Sequence, residues 1–156
     1  MSAAAWIEVD RADQRGRLIS FIPEIFGHKS VALFDLWSLI HFLSGFGIVT
    51  FLAIVQKFTK PISHPLVWCL AVSAVWEIIE IYLELGLAGQ GVAFWFDGLE
   101  HWANRLITDQ VLFVLGFMVG AARKALVLPA KIFSTGWLLF HIFALPHSMY
   151  LQEIWF

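Results

Sequence analysis

Glu77, Glu80 and Glu84 stand inside an almost wholly apolar stretch, Leu66 to Leu87, at spacings that put all three carboxylates on one helical face. An ionised carboxylate in hydrocarbon costs about 2.5–3.5 kcal/mol on insertion scales. A chain keeps such residues where they face a protein interior, a water-filled cavity or a partner. Two close carboxylates do not both ionise cheaply, so Glu77 and Glu80 read as a proton carrier or a cation ligand. The plainer alternative is an ion pair with Arg105 or a hydrogen bond to Asn104 or His41. Glu84, nearest the end of the stretch, is expected to be solvated.

Other polar residues fall at membrane depth. Asp35, Ser38 and His41 belong to the first apolar run. Asp97, Glu100, His101, Asn104 and Thr108 recur at helical spacing within 92–109. Asp109 follows, and Gly116 and Gly120 form a G-x-x-x-G on its face, so Asp109 is expected to look toward another helix. His41, Glu77, Glu80, Asn104 and Asp109 are the leading site candidates, with Asp97, Glu100 and His101 second and Gly116 and Gly120 as packing residues. Oxygen and nitrogen donors of this kind suit a transition metal. The E-x-x-H of di-iron bundles is absent, because Gly98 stands where the Glu would fall before His101. The clustered histidines of membrane oxygenases are missing too, so spacing assigns no metal and leaves the cofactor unknown. His141 and His147 are six residues apart and do not share a face; both are expected as polar fillers.

The elements that must position these groups are hydrophobic spans. Leu36 to Val55 and Leu66 to about Gly86 each supply roughly the 20 apolar residues that cross a bilayer core. A third span is expected over about Ile107 to Ala122 and a fourth over about Ile132 to Leu151, separated by a basic turn containing Pro129. Residues 92–109 read as one amphipathic helix, interfacial or re-entrant. Residues 17–29, interrupted by Pro23, read as a second interfacial segment. The expected fold is all-α: a polytopic transmembrane bundle of about four spans with interfacial amphipathic helices. Residues 1–30 would form a tail and interfacial segment, and 31–156 a single four-helix domain.

Composition agrees. Of 156 residues, 60% are hydrophobic and 14% charged, and the mean hydropathy is +0.77; soluble domains are about 45–50% apolar and 25% charged. A net charge of −2 provides no footprint for nucleic acid. Cys69 is the single cysteine, which excludes a disulfide framework within one chain. No cleavable signal peptide is expected in the acidic N-terminal stretch. Basic residues tie at five on each side of the expected spans, but Lys57, Lys60, Arg123, Lys124 and Lys131 hug them more closely. That side is expected to be cytoplasmic. Trp37, Trp68, Trp95, Trp102 and Trp155 fall near span ends as an aromatic belt.

His41, then W-E-I-I-E at 76–80, E-H-W-A-N-R-L-I-T-D at 100–109 and L-G-F-M-V-G at 115–120 follow one another in an order that resembles the VanZ-like group of small bacterial membrane proteins and related families. The resemblance covers roughly 34–122. It implies a multi-pass protein of the bacterial cytoplasmic membrane with a polar site at His41, Glu77, Glu80, Asn104 and Asp109. The Arg and Asp cluster of VanZ proper is absent here, and Glu100-His101 adds a different polar pair, so antibiotic resistance is not carried over. The favoured function is an intramembrane carboxylate/His/Asn site that binds a lipid headgroup, a cation or a proton. An accessory subunit of a larger membrane complex ranks second, and an acid/base or metal-dependent enzyme acting on lipids third. Membrane lipids are the expected partners, with a larger complex or a homo-oligomer as the alternative.

Overall fold

The computed structural model describes residues 22–27, 29–96 and 98–143, with the side chains of 93–95, 141 and 142 left aside. Expectations for the tail before 22, Asp97, His147 and Trp155 lie outside the described residues, as does the ring of His141.

The chain is mostly helical, and three helices are long and apolar enough to cross a membrane: Leu36–Val55, Pro65–Glu84 and Asn104–Ala122. We label the helices α1 (Leu36–Val55), α2 (Pro65–Glu84), α3 (Gln90–Phe96), α4 (Asp109–Ala122) and α5 (Val127–Phe143). Asp35 starts α1: its Oδ1 accepts from the Ser38 N–H at 2.9 Å, and Ser38 Oγ accepts from the Asp35 N–H at 3.1 Å. This reciprocal cap satisfies donors the first turn leaves open. Pro65 at the first position starts α2. Gly86, at φ 72°, ends it in the left-handed conformation, with the Leu87 N–H returning to the Tyr82 carbonyl.

Three expectations change here. Residues 92–109 are not one amphipathic helix. After α3 the chain breaks at Gly98, whose φ of 90° no helix accommodates, and helix resumes at Trp102. The third span accordingly begins at Asn104 and not near Ile107. The chain is also not purely helical: β1 (Glu24–Phe26) and β2 (Ala32–Phe34) pair in parallel, Glu24 with Ala32 and Phe26 with Phe34. Parallel strands ordinarily need a crossover of a dozen residues or more. Here five residues join two three-residue strands, so the described part of the segment expected to be interfacial is a wound loop packed against the start of the third span and not a helix. Finally, α5 begins at Val127, which takes Pro129 and Lys131 out of the expected turn. Proline is tolerated there because the first turn has no intrahelical acceptor for its missing N–H.

α1 and α4 form the centre of the bundle, with α2 packed on α4 and α5 on α1; α1 and α2 barely touch. The α1–α4 crossing is close because it is built from glycine. A Cβ on Gly45 would strike the Phe113 carbonyl, and one on Gly116 the Phe42 carbonyl. Gly120 lies against Phe46 and Val49. Beside this seam Ile48, Leu52, Cys69, Phe113 and Phe117 form the apolar core. With α1 running away from the wound loop, α2 back toward it and α4 away again, the polar ends of all three meet at one end of the bundle.

Candidate functional site

Two layers of charge occupy that end. The outer layer is an ion-pair cluster. Lys29, only 2% exposed, donates to Glu84 Oε1 at 2.9 Å and to the Phe96 carbonyl. Its own carbonyl accepts from the His101 N–H at 2.8 Å, which fastens the wound loop to the break before α4. Arg105 Nη2 lies 2.6 Å from Glu84 Oε2 and 3.2 Å from Glu100 Oε2. Asn104 Nδ2 donates to Glu100 Oε1 at 2.8 Å. Glu84 is therefore buried and doubly paired, not solvated. It sits at the membrane end of α2 as expected, but the loop bearing Lys29 covers it. Arg105 pairs with Glu84 and Glu100 and reaches Glu77 only at its carbonyl, at 3.4 Å.

The inner layer is poor in donors. His41 Nδ1 lies 3.6 Å from Glu77 Oε1, and His41 Nε2 lies 3.6 Å from Asp109 Oδ2 and 4.0 Å from Glu80 Oε2. Gln110 donates to Glu77 Oε1 at 3.4 Å. Glu77 Oε2, Glu80 Oε2, Asn104 Oδ1 and both oxygens of Asp109 are buried and accept no hydrogen bond. Buried acceptors are rarely left so, because each forfeits its hydration.

A π-helical stretch, Asn104–Thr108, builds one wall. Its widened turn carries the Asp109 N–H to the Asn104 carbonyl and turns Asn104, Arg105, Thr108 and Asp109 inward together. In a regular α-helix, residues five apart point away from each other. Such bulges recur at functional sites.

The structure thus gathers all five leading candidates, His41, Glu77, Glu80, Asn104 and Asp109, with Glu100 beside them. His101 is buried at the edge and does a structural job: its Nδ1 accepts from the Ala103 N–H at 3.1 Å. Two further residues support the site beyond the leading candidates. Lys29 falls in a segment that reads as interfacial, and nothing in its position marks it. Asp35 is one polar residue at the start of an apolar run, and its capping role shows only in its distance to Ser38.

Six carboxylates, Asp35, Glu77, Glu80, Glu84, Glu100 and Asp109, share this buried end with the cations Lys29 and Arg105. Both cations are engaged in the outer layer. Uncompensated charge at low dielectric is expensive, so protons or a bound cation must balance the rest. Two groups outside the spans show the pressure. Burial pushes the Glu100 carboxyl far above its ordinary range, Asp109 and Glu80 push the same way, and Arg105 only partly opposes them. Burial also raises Asp35, against its hydrogen bonds with Ser38.

Spacing alone assigns no metal, because the donors come from three separate elements. In the fold, one donor atom each from His41, Glu77 and Asp109 lies within 4.8 Å of the others, and the same holds for Glu77, Glu80 and Glu100. At that limit three donors stand about 2.8 Å from a common centre, so metal–ligand bonds of about 2.0–2.2 Å would require each to move inward by up to about 0.6–0.8 Å. Glu77 belongs to both groups, so two ions there would share its carboxylate. No family model, curated protein or solved structure matches the chain.

Proposed function

We propose that this chain is a multi-pass integral membrane protein of the bacterial cytoplasmic membrane whose buried carboxylate–histidine site binds a divalent cation at one membrane face. The observation that carries this reading is the set of buried, unsatisfied carboxylate oxygens on Glu77, Glu80 and Asp109 that surround His41, more acceptors than one imidazole can serve, with the unsatisfied Asn104 Oδ1 and Glu100 beside them. Oxygen donors with one imidazole suit Mn2+, Fe2+ or Zn2+. His41, Glu77 and Asp109 would hold the first ion, with Glu80 and Glu100 completing a second position around Glu77. The order of motifs that resembles the VanZ-like group supports a site at these same residues, and α5 would provide the fourth crossing.

In detergent, the purified protein is expected to bind Mn2+ or Zn2+ stoichiometrically, read by calorimetry and by metal analysis after gel filtration. His41→Ala and Glu77→Gln should each weaken binding by about tenfold or more, since each removes a ligand outright and outer-shell changes alone cost about 10–100-fold. Equal binding by the wild type and both variants, or none by the wild type, overturns the cation reading.

A further inference from the structure

A cavity of about 560 Å3 runs along α1 between α2 and α5. It is lined on α1 from Trp37 to Phe51, which at 1.5 Å per residue is about 21 Å of helix. Its walls are aliphatic and aromatic, with Ile40, Leu43 and Ile48 from α1, Val72 from α2 and Leu138 from α5. Charge is confined to its ends: His41 and Glu80 at one, Lys131 at the other. The hydroxyls of Ser44, Ser134 and Thr135 lie on helices, where backbone carbonyls one turn back are within their reach.

We propose that this groove holds the hydrocarbon chain of one membrane lipid, with the lipid's polar head at the His41–Glu80 end, against the carboxylate–histidine site. This rests on reading that site as a ligand-binding centre and names the class of ligand. Three observations select the occupant. The groove lies within helices apolar enough to cross a bilayer. An apolar cavity there fills with hydrocarbon, because water gains too few hydrogen bonds in it. Its volume spread over its length, with the radius of the atoms that fill it added, gives a channel about 9 Å across, narrower than a helix of 10–12 Å. A single chain fits, and the helix of a second copy or of a partner does not. Its length exceeds the depth of one leaflet of a hydrocarbon core about 30 Å thick, so a chain entering at the polar end lies against the groove over its whole depth in that leaflet.

Gly47 gives the test. It lines the groove, and a Cβ there meets nothing within 4 Å, unlike Gly45 and Gly116 in the helix seam. Gly47→Phe therefore fills the groove without touching the α1–α4 contact, and Gly47→Ala leaves it open. Each protein is purified in a sterol-type detergent, washed extensively, and assayed for retained lipid per chain by mass spectrometry and for Mn2+ binding. Wild type and Gly47→Ala are expected to keep about one lipid per chain, and Gly47→Phe at least tenfold less with Mn2+ binding unchanged. If Gly47→Phe does not fold, Ser44→Phe fills the same groove one turn earlier. No retained lipid in the wild type, or wild-type retention in a folded groove-filling variant, overturns the proposal while Mn2+ binding stands. Loss of lipid in Gly47→Phe when no variant binds Mn2+ keeps the groove and removes the cation reading.

Discussion

At the scale of single residues, the site is an excess of acid held in place by two cations that already have partners. Glu100 senses that excess from outside the spans. Its carboxyl is pushed up by burial and by Asp109, so the folded protein holds a proton that the unfolded chain releases above the ordinary value of 4.5. Between those two values the native state binds more protons than the unfolded state, and stability must fall as pH rises. Metal-free protein is therefore expected to lose melting temperature as pH increases above 4.5, and Glu100→Gln to flatten that slope, because a neutral amide releases no proton. Thermal denaturation across pH in detergent measures it; an unchanged slope in Glu100→Gln would show that other carboxylates govern the titration. His41, Glu77, Glu80 and Asp109 were legible in the sequence because acid and imidazole inside an apolar run persist only where they turn away from lipid toward something polar. Lys29 and the burial of Glu84 were not. Both lie outside or at the edge of the apolar stretches, and only the docking of residues 29–31 onto the bundle removes them from water.

At the scale of elements, the three apolar runs announce their helices, since length and hydropathy decide both. What patterning did not reveal is how the run 92–109 divides. Its polar residues do recur at helical spacing, but Gly98 takes a positive φ and the turn at Asn104–Thr108 widens, so the short helix α3 and the start of the third span replace one amphipathic helix. Periodicity records which residues share a face and carries no signal for a break or a bulge. The glycine pair at 116 and 120 was legible as a packing stripe, whereas its counterpart Gly45 acquires meaning only once α1 is laid against α4. This seam sets the distance between His41 and Asp109, which sit on opposite sides of it. Gly116→Ala is expected to destabilise the protein by about 1–3 kcal/mol or more, because the new methyl meets the Phe42 backbone, which cannot swing aside as a side chain would. Gly136→Ala, whose Cβ meets open space, should be close to neutral. Denaturant titration of the two variants in mixed micelles decides it; equal stability for both would mean the seam relaxes freely.

At the scale of the whole molecule, the two ends of the bundle differ in kind. One end holds the buried acids under the wound loop and the α2–α3 turn. The other carries exposed Lys57, Lys60, Arg123 and Lys124, all within a few residues of a span. Counted from sequence, the basic residues on the two sides tie. The fold breaks the tie among the described residues, because Lys29 and Arg105 on the acidic side are buried and both paired with Glu84. Among the described residues the cations left at the water are those of the basic end, and such residues close to the spans are retained on the cytoplasmic side. The carboxylate–histidine site would then open toward the outer face, where its ligand arrives from outside the cell or from the outer leaflet. Cys69 is fully buried, so single introduced cysteines report orientation against a quiet background. Ser63→Cys, exposed at the basic end, is expected to react with a membrane-impermeant maleimide only in inside-out vesicles, and Ala88→Cys, exposed at the acidic end, only in intact spheroplasts. The reverse pattern would turn the site toward the cytoplasm and make a cytosolic cation its source, while labelling of both from one side would mean that α2 does not cross the membrane.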